Sequence, residues 1–445
     1  MAPTRLDAQA RYDVLVIGGG PAGSTTAALL ARRGVRVALL EKARHPRFHI
    51  GESLLPANLA LFEQLGVADQ VRAIGMPKWG AEFVSPWHAR KTQSFAFADA
   101  WNRSMPMAYQ VRRSEFDDIL LRNAEGLGVR VVQGCEARDV HFEPDGAGAL
   151  IEALHDDATR SSWHARYVVD ASGRDTFLGA RLKAKQRDRR HNSAAMFAHF
   201  TGATRLPGRD AGHISIFWFD HGWFWFIPLA DGTTSVGAVA WPYYFKTRDK
   251  ALEDFFADTI ALCPGLSARL AGATRVSPVQ ATGNYSYRCE RTHGPGYLLV
   301  GDAFTFIDPV FSSGVMFAMQ GGVFAAEALL ASLREPSTEA RAMKAFDRAM
   351  RRGPRAFSWF IYRVNHPSLR DMFMAPRNVF RVQEALLSVL AGDVFGSTPI
   401  WGSLRVLKAI FYLDALRHLR RSLRAMVLRR RQIDPRGGPD GAASR

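Results

Sequence analysis

The chain has 445 residues, of which 47% are apolar and 11% aromatic, and it carries a formal net charge of +16. This composition excludes a disordered or fibrous chain and fits one large globular domain or two to three smaller ones. The three unevenly spaced cysteines (Cys135, Cys263 and Cys289) form no CxxC pair, which argues against a disulfide scaffold or a zinc site and favours a reducing cytoplasm. We expect no signal segment and no membrane-spanning helix, because no run of about 18 uncharged apolar residues occurs.

The N-terminal region carries the pattern of a βαβ unit. The pattern predicts a buried strand over residues 13–17, a helix over residues 24–33 and a second parallel strand over residues 35–40. Between the first strand and the helix lies Gly18-x-Gly20-x-x-Gly23, whose glycines permit a tight turn, close approach of a pyrophosphate, and packing of helix on strand. Glu41, directly after the second strand, is placed to accept hydrogen bonds from an adenosine ribose. No other segment repeats this pattern, so we expect a single dinucleotide site.

Further elements follow along the chain. Helical spacing predicts a helix over residues 109–124, a strand follows at 129–132, and residues 168–174 form a strand that enters a glycine turn. The chain returns to the nucleotide-binding fold at 297–302, is helical beyond about 335, and ends at 434–445 in the composition of a flexible tail. Aromatic-rich alternation between residues 190 and 282 predicts an antiparallel sheet, with strands at 195–201, 213–219, 223–228 and 234–241.

Gly301 and Asp302 begin a second glycine-containing segment that favours FAD over NAD. Asp302 is placed to hold a ribityl hydroxyl, and a helix that starts near Ser312 is placed to point its amides at the flavin ring. Taken alone, Asp302 is also typical of a turn residue that caps a helix. One FAD held by two separate chain segments accounts for both glycine patterns.

Half of the net charge lies in the last tenth of the chain. Residues 401–445 contain eleven Lys or Arg and three Asp or Glu, a net charge of +8. Apolar residues between these charges follow a helical stripe, which indicates a helix docked on its own core, or a surface for an anionic membrane or an acidic protein. A solvated basic face is the simplest alternative. Nucleic acid is not expected as a partner, because no recognition module accompanies the charge.

Five segments together resemble the flavin-dependent halogenase family, within the broader flavoprotein hydroxylase-like superfamily. The resemblance implies an α/β protein with a Rossmann-type FAD-binding fold, an inserted antiparallel β-sheet substrate domain and a helical C-terminal region. The five segments are residues 18–23, 48–56 (FHIGESLLP), 78–81 (KWGA), 222–228 (GWFWFIP) and 301–314. The expected domain bounds are 1–190 and 283–335 for the FAD-binding domain, with small inserted strands near 78–108, 191–282 for the substrate region, 336–433 for the helical region and 434–445 for the tail.

The resemblance also implies roles for individual residues. Lys78, with a pKa lowered by burial, would carry the halogen, and Trp223 and Trp225 would separate flavin from substrate; a surface lysine and two core aromatic residues are the simpler interpretations. The implied halide site is Ser312, Ser313 and Gly314, shielded from water by Phe311, where an ordinary helix N-cap is the alternative. The implied FAD-binding residues are Gly18, Gly20, Ala22, Gly23, Glu41, Lys42, Gly51, Glu52, Ser53, Arg113, Asp302, Pro309, Gly314 and Val315.

Two departures from the family pattern narrow the expected function. Tryptophan-acting members have a glutamate where this chain has Phe311, so we expect a phenolic or pyrrolic substrate, including one tethered to an acyl or peptidyl carrier protein. Hydroxylases that reduce their own FAD have an Asp-Gly element where this chain has Asp170-Ala171-Ser172-Gly173. Reduced FAD is therefore expected from a separate flavin reductase.

The implied reaction uses reduced FAD, O2 and chloride or bromide, and it transfers halogen to an electron-rich aromatic ring through hypohalous acid and Lys78. The protein would act in the cytoplasm, either free or with its basic C-terminal helix on the inner face of the membrane. A flavin monooxygenase or a geranylgeranyl-reductase-like oxidoreductase on the same scaffold is one alternative. The other is an inert flavoprotein that its basic C-terminal segment tethers to a membrane or a partner.

Overall fold

The computed structural model describes residues 11–144, 148–188, 191–283 and 286–433, so the predicted tail at 434–445 lies outside the described residues. Its strands are β1 (Arg11–Ile17), β2 (Val37–Glu41), β3 (Met76–Lys78), β4 (Gly80–Val84), β5 (Thr92–Ala96), β6 (Ala108–Gln110), β7 (Arg130–Gln133), β8 (Cys135–Phe142), β9 (Ala149–His155), β10 (Arg160–Asp170), β11 (Lys185–Arg187), β12 (Ala194–Thr201), β13 (Ile214–Phe219), β14 (Gly222–Pro228), β15 (Thr234–Ala240), β16 (Thr274–Arg275), β17 (Gln280–Gly283), β18 (Tyr287–Cys289), β19 (His293–Gly294), β20 (Tyr297–Leu299) and β21 (Thr305–Phe306). Its α-helices are α1 (Pro21–Ala31), α2 (Asn58–Leu65), α3 (Ala68–Ile74), α4 (Arg113–Gly126), α5 (Phe177–Arg181), α6 (Pro242–Phe245), α7 (Leu252–Ala261), α8 (Pro264–Leu270), α9 (Gly314–Arg334), α10 (Glu339–Ile361), α11 (Pro367–Met374), α12 (Val382–Ala391), α13 (Trp401–Arg417) and α14 (Leu419–Ile433).

The first sheet is the nucleotide-binding core. Its strand order is β19-β20-β10-β1-β2-β7, in which β20, β10, β1, β2 and β7 run parallel to one another and β19 pairs antiparallel with β20. Strands β1 and β2 are apolar on both faces because helices cover the sheet, which is the usual reason for such continuous apolar runs. The predicted βαβ unit is present, although α1 begins at Pro21, earlier than expected, because proline is well suited to the first helical position.

One predicted helix starts later than its pattern suggested. Residues 109–124 were expected to be helical throughout, but residues 108–110 form β6, which pairs with β3, and α4 begins at Arg113. The pairing with β3 outweighs the local helical spacing, because strand pairing is a long-range contact that the pattern of one segment cannot register.

The second sheet has the order β16-β12-β15-β14-β13-β4-β5, with β17 also paired to β12. Segment 191–282 supplies most of its strands, but β4 and β5 come from residues 80–96. The strands from this segment pair antiparallel with one another, as predicted, whereas β4, which comes from outside the segment, pairs parallel with β13. These two strands are far apart in the chain, so no hairpin forces them to run in opposite directions.

Strand β14 lies in the middle of this sheet and is buried along its whole length. Trp223, Trp225 and Ile227 face the C-terminal helices, whereas Phe224 and Phe226 face the core beneath α7 and α8. The alternation of aromatic residues therefore fills two separate apolar cores, one on each face of the sheet.

Helices α10 to α14 lie in the predicted helical region 336–433, and α9 precedes it in the return segment of the FAD-binding domain. By length and composition α9 would be able to cross a membrane, but 56% of its most apolar window is buried inside the protein, as is typical of a core helix. The three cysteines are buried and free, so the described residues contain no disulfide.

Candidate active site

A cavity of about 720 Å³ opens at the carboxyl ends of β1, β2 and β10. Both glycine segments meet in its wall, as expected for a ligand at this edge of a parallel sheet. Of the predicted residues, Lys78, Gly23, Phe311 and Ser313 do not line the cavity. The predicted residues that do line it are Gly18, Gly20, Ala22, Glu41, Lys42, Gly51, Glu52, Ser53, Arg113, Trp223, Trp225, Asp302, Pro309, Ser312, Gly314 and Val315.

The first glycine turn forms its part of the wall through close backbone contacts. Gly18 has a φ of +105°, and a Cβ there would lie 2.4 Å from the carbonyl oxygen of Ala171. A Cβ on Gly23 would lie 1.9 Å from the carbonyl oxygen of Gly18, so Gly23 packs α1 against the turn and does not face the cavity. No described side chain caps α1 at Gly20, which leaves the first amides of the helix available to an anion.

Glu41 closes the end of β2 and is 5% exposed. Its carboxylate accepts hydrogen bonds from the backbone N–H groups of Gly19 (2.6 Å) and Ala43 (2.8 Å). The side chain therefore holds the glycine turn against β2 and forms part of the cavity wall. Its contact with an adenosine ribose remains a prediction.

Two arginines beside the glycine turn share one buried carboxylate. Arg113 donates to Asp117 through Nε (2.8 Å) and Nη2 (3.0 Å), and Arg47 donates through Nη1 (3.1 Å). Burial alone would raise the pKa of Asp117, but the charge and hydrogen bonds of Arg113, together with Arg47, hold it below its usual range. Both arginines line the cavity and place positive charge near the first turn of α1. Arg47 and Asp117 were missed from the sequence, because no motif or spacing connects them with α1.

The second glycine segment contributes the carboxylate of Asp302, which accepts no hydrogen bond from the described residues. Asp302 faces the cavity, and the part of the chain that the structure describes offers no donor to its carboxylate. Burial raises the pKa of Asp302 to about 6, although Arg113 and Arg174 lower it. Such a carboxylate fits the hydroxyl groups of a ribityl chain. The open end of α1, the two arginines and Asp302 are thus the arrangement that FAD requires.

We expect Asp302 to make FAD binding depend on pH. Ribityl hydroxyls donate to the ionised carboxylate, so protonation below pH 6 should weaken binding to the apoprotein, by up to about tenfold between pH 7 and pH 5. Quenching of flavin fluorescence at each pH measures the Kd. Asp302→Asn should bind FAD more weakly at pH 7 and with a flatter pH profile, and an unchanged profile in this variant would contradict the assignment.

Trp223 and Trp225 lie side by side in the cavity wall. Their ring centroids are 6.2 Å apart, and Trp225 Nε1 donates a hydrogen bond to Ser235 Oγ at 3.1 Å. The Trp225 indole lies flat across β15, directly over Gly237, where a Cβ would be 2.2 Å from Cζ2 of the ring. Gly237 therefore supports the position of Trp225, and only a strand position without a side chain permits this approach.

Gly237→Ala should displace the Trp225 ring. We expect a loss of about 1 to 3 kcal/mol in the free energy of unfolding and a smaller fraction of consumed reduced flavin recovered as product. Chemical denaturation and product quantification measure the two effects. Gly283→Ala on β17 is the matched control, since its Cβ would meet only Ala194 Cβ at 3.7 Å; an equal loss in both variants would argue against a specific role for Gly237.

Lys78 ends β3 and lies behind the cavity wall, with 1% of its surface exposed. Its Nζ donates to Ser53 Oγ and to the carbonyl oxygen of Leu54, both at 2.9 Å, and lies 5.3 Å from the centroid of the Phe97 ring. Ser53 lines the cavity, so one hydroxyl separates the amine from it. No carboxylate among the described residues forms an ion pair with Lys78, and burial lowers its pKa to about 7.

The predicted halide segment is held by a buried carboxylate. Asp308 accepts a hydrogen bond from Val310 N (3.0 Å) and from Ser193 Oγ (3.1 Å), and it lies 2.6 Å from His191 Nε2. Ser312 takes a left-handed conformation with φ of +56° directly before α9, and Ser312 and Gly314 reach the cavity.

The ring of Phe311 turns away from the cavity. It packs against Phe357, Phe360 and Phe373 of the C-terminal helices, with centroid distances of 6.4 Å. Shielding of a halide by Phe311 therefore remains a prediction.

Glu52, a predicted FAD-binding residue, forms a buried pair with His199, which was missed from the sequence. Glu52 Oε1 lies 2.7 Å from His199 Nε2, and both side chains are buried. The Phe48 ring lies perpendicular to the His199 ring, 6.2 Å between centroids, and stacks on Phe197. His199 belongs to β12, so its approach to Glu52 depends on the docking of the second sheet and leaves no local signal.

Comparison with known proteins identifies relatives over most of the chain. The sequence matches the FAD binding domain family over residues 11–356. The flavin-dependent halogenase armH2 of Armillaria mellea is 36% identical over 353 residues, which are 74% of this chain and 67% of the relative. The 1H-pyrrole-2-carbonyl-peptidyl-carrier-protein chlorinase of Pseudomonas fluorescens is 30% identical over 406 residues, 86% of this chain and 90% of the relative.

A solved structure extends the likeness to the fold. The myxobacterial chondrochloren halogenase CndH superimposes with a TM-score of 0.76 at 35% identity, covering 88% of this chain and 92% of that one. The FAD binding domain match contains every residue that lines the cavity. FAD is therefore the cofactor, which confirms the prediction from the two glycine segments.

Proposed function

The chain belongs to the flavin-dependent halogenases, and from that premise we propose that Lys78 delivers the halogen to a phenolic or pyrrolic ring held as a thioester on a carrier protein. The enzyme itself is an FAD-dependent halogenase, as the sequence predicted. The observation that carries the proposal is the buried Lys78 amine, one hydroxyl away from the cofactor cavity and without a carboxylate partner among the described residues.

The environment of Lys78 suits halogen transfer. When bound, reduced FAD supplies the electrons that, with two from the halide, reduce O2 to one water and one hypohalous acid. Two of the three donor positions of the Lys78 ammonium bind Ser53 and Leu54, which leaves one to bind hypohalous acid. A pKa of about 7 keeps much of the amine neutral at pH 7, so its lone pair can take the halogen with release of water.

The surrounding residues separate this step from the cofactor. Trp223 and Trp225 form an apolar wall, which excludes water and keeps the acceptor ring at a distance from the flavin. The ring then attacks the halogen on Lys78 and the N–X bond breaks; the nitrogen takes up a proton to restore the amine, and the ring loses its own proton to solvent. Halide is proposed to bind at the first amides of α9, beside Ser312 and Gly314.

The proposed substrate class rests on two supports. The Pseudomonas fluorescens relative is named for a pyrrole on a peptidyl carrier protein. In addition, Phe311 replaces the glutamate of tryptophan-acting members, and its ring packs into the C-terminal helices instead of assisting a substrate. A ring activated by a hydroxyl or a pyrrole nitrogen needs less help.

A separate flavin reductase is proposed as the source of reduced FAD. The Asp170 carboxylate is fully buried and accepts from the backbone N–H groups of Ser172 (3.0 Å) and Leu178 (2.7 Å). It therefore holds its own turn and is not free to contact a nicotinamide. The described ranges also contain no second βαβ glycine turn.

The test combines purified protein, FAD, an unrelated flavin reductase, NADH, O2 and bromide or chloride. Free 3-hydroxybenzoate and pyrrole-2-carboxylate are compared with the same acids loaded on a carrier protein, and mass spectrometry detects halide-dependent products. We expect product from the carrier-bound acids and none when the reductase is left out. Hydroxylated product without halide would indicate a monooxygenase, and preference for the free acids would contradict the proposed carrier.

A further inference from the structure

The α13–α14 hairpin exposes an unusual number of large apolar side chains. Each is between 44% and 66% exposed, although residues of this type are generally buried. We call this set the α13–α14 apolar strip; its members are Tyr412, Leu413, Leu416, Leu419, Leu423, Met426, Val427 and Leu428. An exposed set of this size on two adjoining helices indicates an interaction surface.

Helix α14 is docked by its other face, so the strip does not simply belong to a detached helix. Arg421 forms an ion pair with Asp371 on α11 (2.7 Å), and Ser422 is buried, with its Oγ donating to the carbonyl oxygen of Ala415. Nearer the helix end, Arg429 lies over the ring of Tyr362. With this face fixed on the protein, the strip remains directed outward.

Basic residues flank the strip on α14. Leu419, Leu423 and Val427 follow at four-residue intervals and share one face. Arg420, Arg424 and Arg431 follow at intervals of four and seven and lie along the adjacent edge, exposed to solvent. Residues 401–433 contain nine Lys or Arg and a single acidic residue, Asp414.

We propose that the α13–α14 apolar strip binds the surface of an anionic membrane, with α14 lying in the plane of the interface. Apolar side chains enter the boundary of the acyl chains, and the flanking guanidiniums bind lipid phosphates. The buried α9 takes no part, so the contact is peripheral.

Charge and composition favour lipid over two other occupants. A second copy of the chain would bring two strongly basic hairpins together, which is repulsive. A carrier protein must leave after each turnover, and transient protein interfaces are no more apolar than ordinary protein surface. With eight half-exposed apolar side chains, the strip is more apolar than ordinary protein surface. A helix that lies in a membrane interface requires such an apolar face.

The test uses the full-length holoprotein and needs no substrate, so its outcome is independent of the proposed function. Co-sedimentation is measured with vesicles of phosphatidylglycerol and phosphatidylcholine, and with vesicles of phosphatidylcholine alone. We expect at least about tenfold stronger binding to the anionic vesicles, weakened by added salt.

Two variants separate the apolar and the electrostatic contributions. L419Q/L423Q/V427Q and R420E/R424E/R431E should each reduce binding at least about tenfold. The matched control R33E/R103E/R341E changes three exposed arginines outside the hairpin and should retain binding. Retained FAD absorbance and circular dichroism show that each variant is folded.

Three results would overturn the proposal. They are equal binding to neutral and anionic vesicles, equal loss in the control variant, and absence of binding by the folded wild-type protein. Loss of carrier-dependent turnover in the arginine variant, without any vesicle binding by the wild type, would identify the strip as a protein-docking surface instead.

Discussion

Lys78→Met is expected to abolish halogenation and at the same time to make the protein more stable. Methionine fills the same buried space without a charge, so the variant loses the group proposed to carry the halogen but also loses the cost of burying an ammonium. We expect product formation to fall by at least about a thousandfold, as for loss of a covalent catalytic group. At pH 7 the free energy of unfolding should rise by up to about 4 kcal/mol, less the two hydrogen bonds that the amine makes.

The pH dependence distinguishes this gain from better packing. The pKa of Lys78 is about 7 in the folded protein and 10.5 in an unperturbed lysine, so the unfolded chain binds the extra proton between these values. The stability of the wild type should therefore rise with pH from about 7 to 10.5, and the advantage of Lys78→Met should be full below pH 7 and vanish above 10.5. Denaturant titrations across this pH range measure the difference in unfolding free energy between Lys78→Met and the wild type.

Lys91→Met serves as the control, because Lys91 is exposed and its loss should change neither property. FAD binding should remain intact in Lys78→Met, since the amine lies behind the cavity wall. Substantial halogenated product from the Lys78→Met variant would remove the lysine from the mechanism.

Asp117→Ala should have the largest effect on stability. It would leave Arg113 and Arg47 beside a buried site without their shared carboxylate, which costs about 3 to 5 kcal/mol of the free energy of unfolding. FAD affinity should fall as well, because both guanidiniums would lose their orientation toward the cavity. Denaturant unfolding of the apoprotein and fluorescence titration with FAD measure the two effects separately.

Asp118→Ala provides a neighbouring control on the same helix. Asp118 pairs with the exposed Arg122, and loss of such a surface pair should change stability by no more than about 1 kcal/mol. The pKa of Asp117 lies below its usual value, so its contribution is present at neutral pH and is lost as pH falls through that lowered pKa. Similar losses of unfolding free energy in the two variants at pH 7 would show that the buried Asp117 contributes no more to stability than the exposed pair of Asp118 and Arg122.

The features that the sequence predicted well are those that one short segment specifies. The glycine turn at Gly18, the buried strands around it and the aromatic alternation of β14 depend on local spacing, and the structure contains them. FAD was also predicted as the cofactor, because Gly301 and Asp302 belong to a second glycine-containing segment. Lys78 was found through the resemblance alone, since nothing in its local composition distinguishes it from a surface lysine.

The features that were missed depend on contacts between distant segments. Arg47 becomes part of the cavity only through Asp117, and His199 approaches Glu52 only when the second sheet docks on the first. The strands β4 and β5 (residues 80–96) extend a sheet whose other strands begin only at Ala194. No periodicity within one segment carries such information.

The two faces of β14 also have a consequence for altering the enzyme. The face with Trp223 and Trp225 packs against helices that follow residue 356, where the FAD binding domain match ends. Under the proposed function, oxidation of halide would be encoded before residue 356 and choice of the acceptor ring in the helices that follow it. Chimaeras that exchange only α11 to α13 among relatives offer a route to new aromatic acceptors, with the oxygen-activating machinery left as it is.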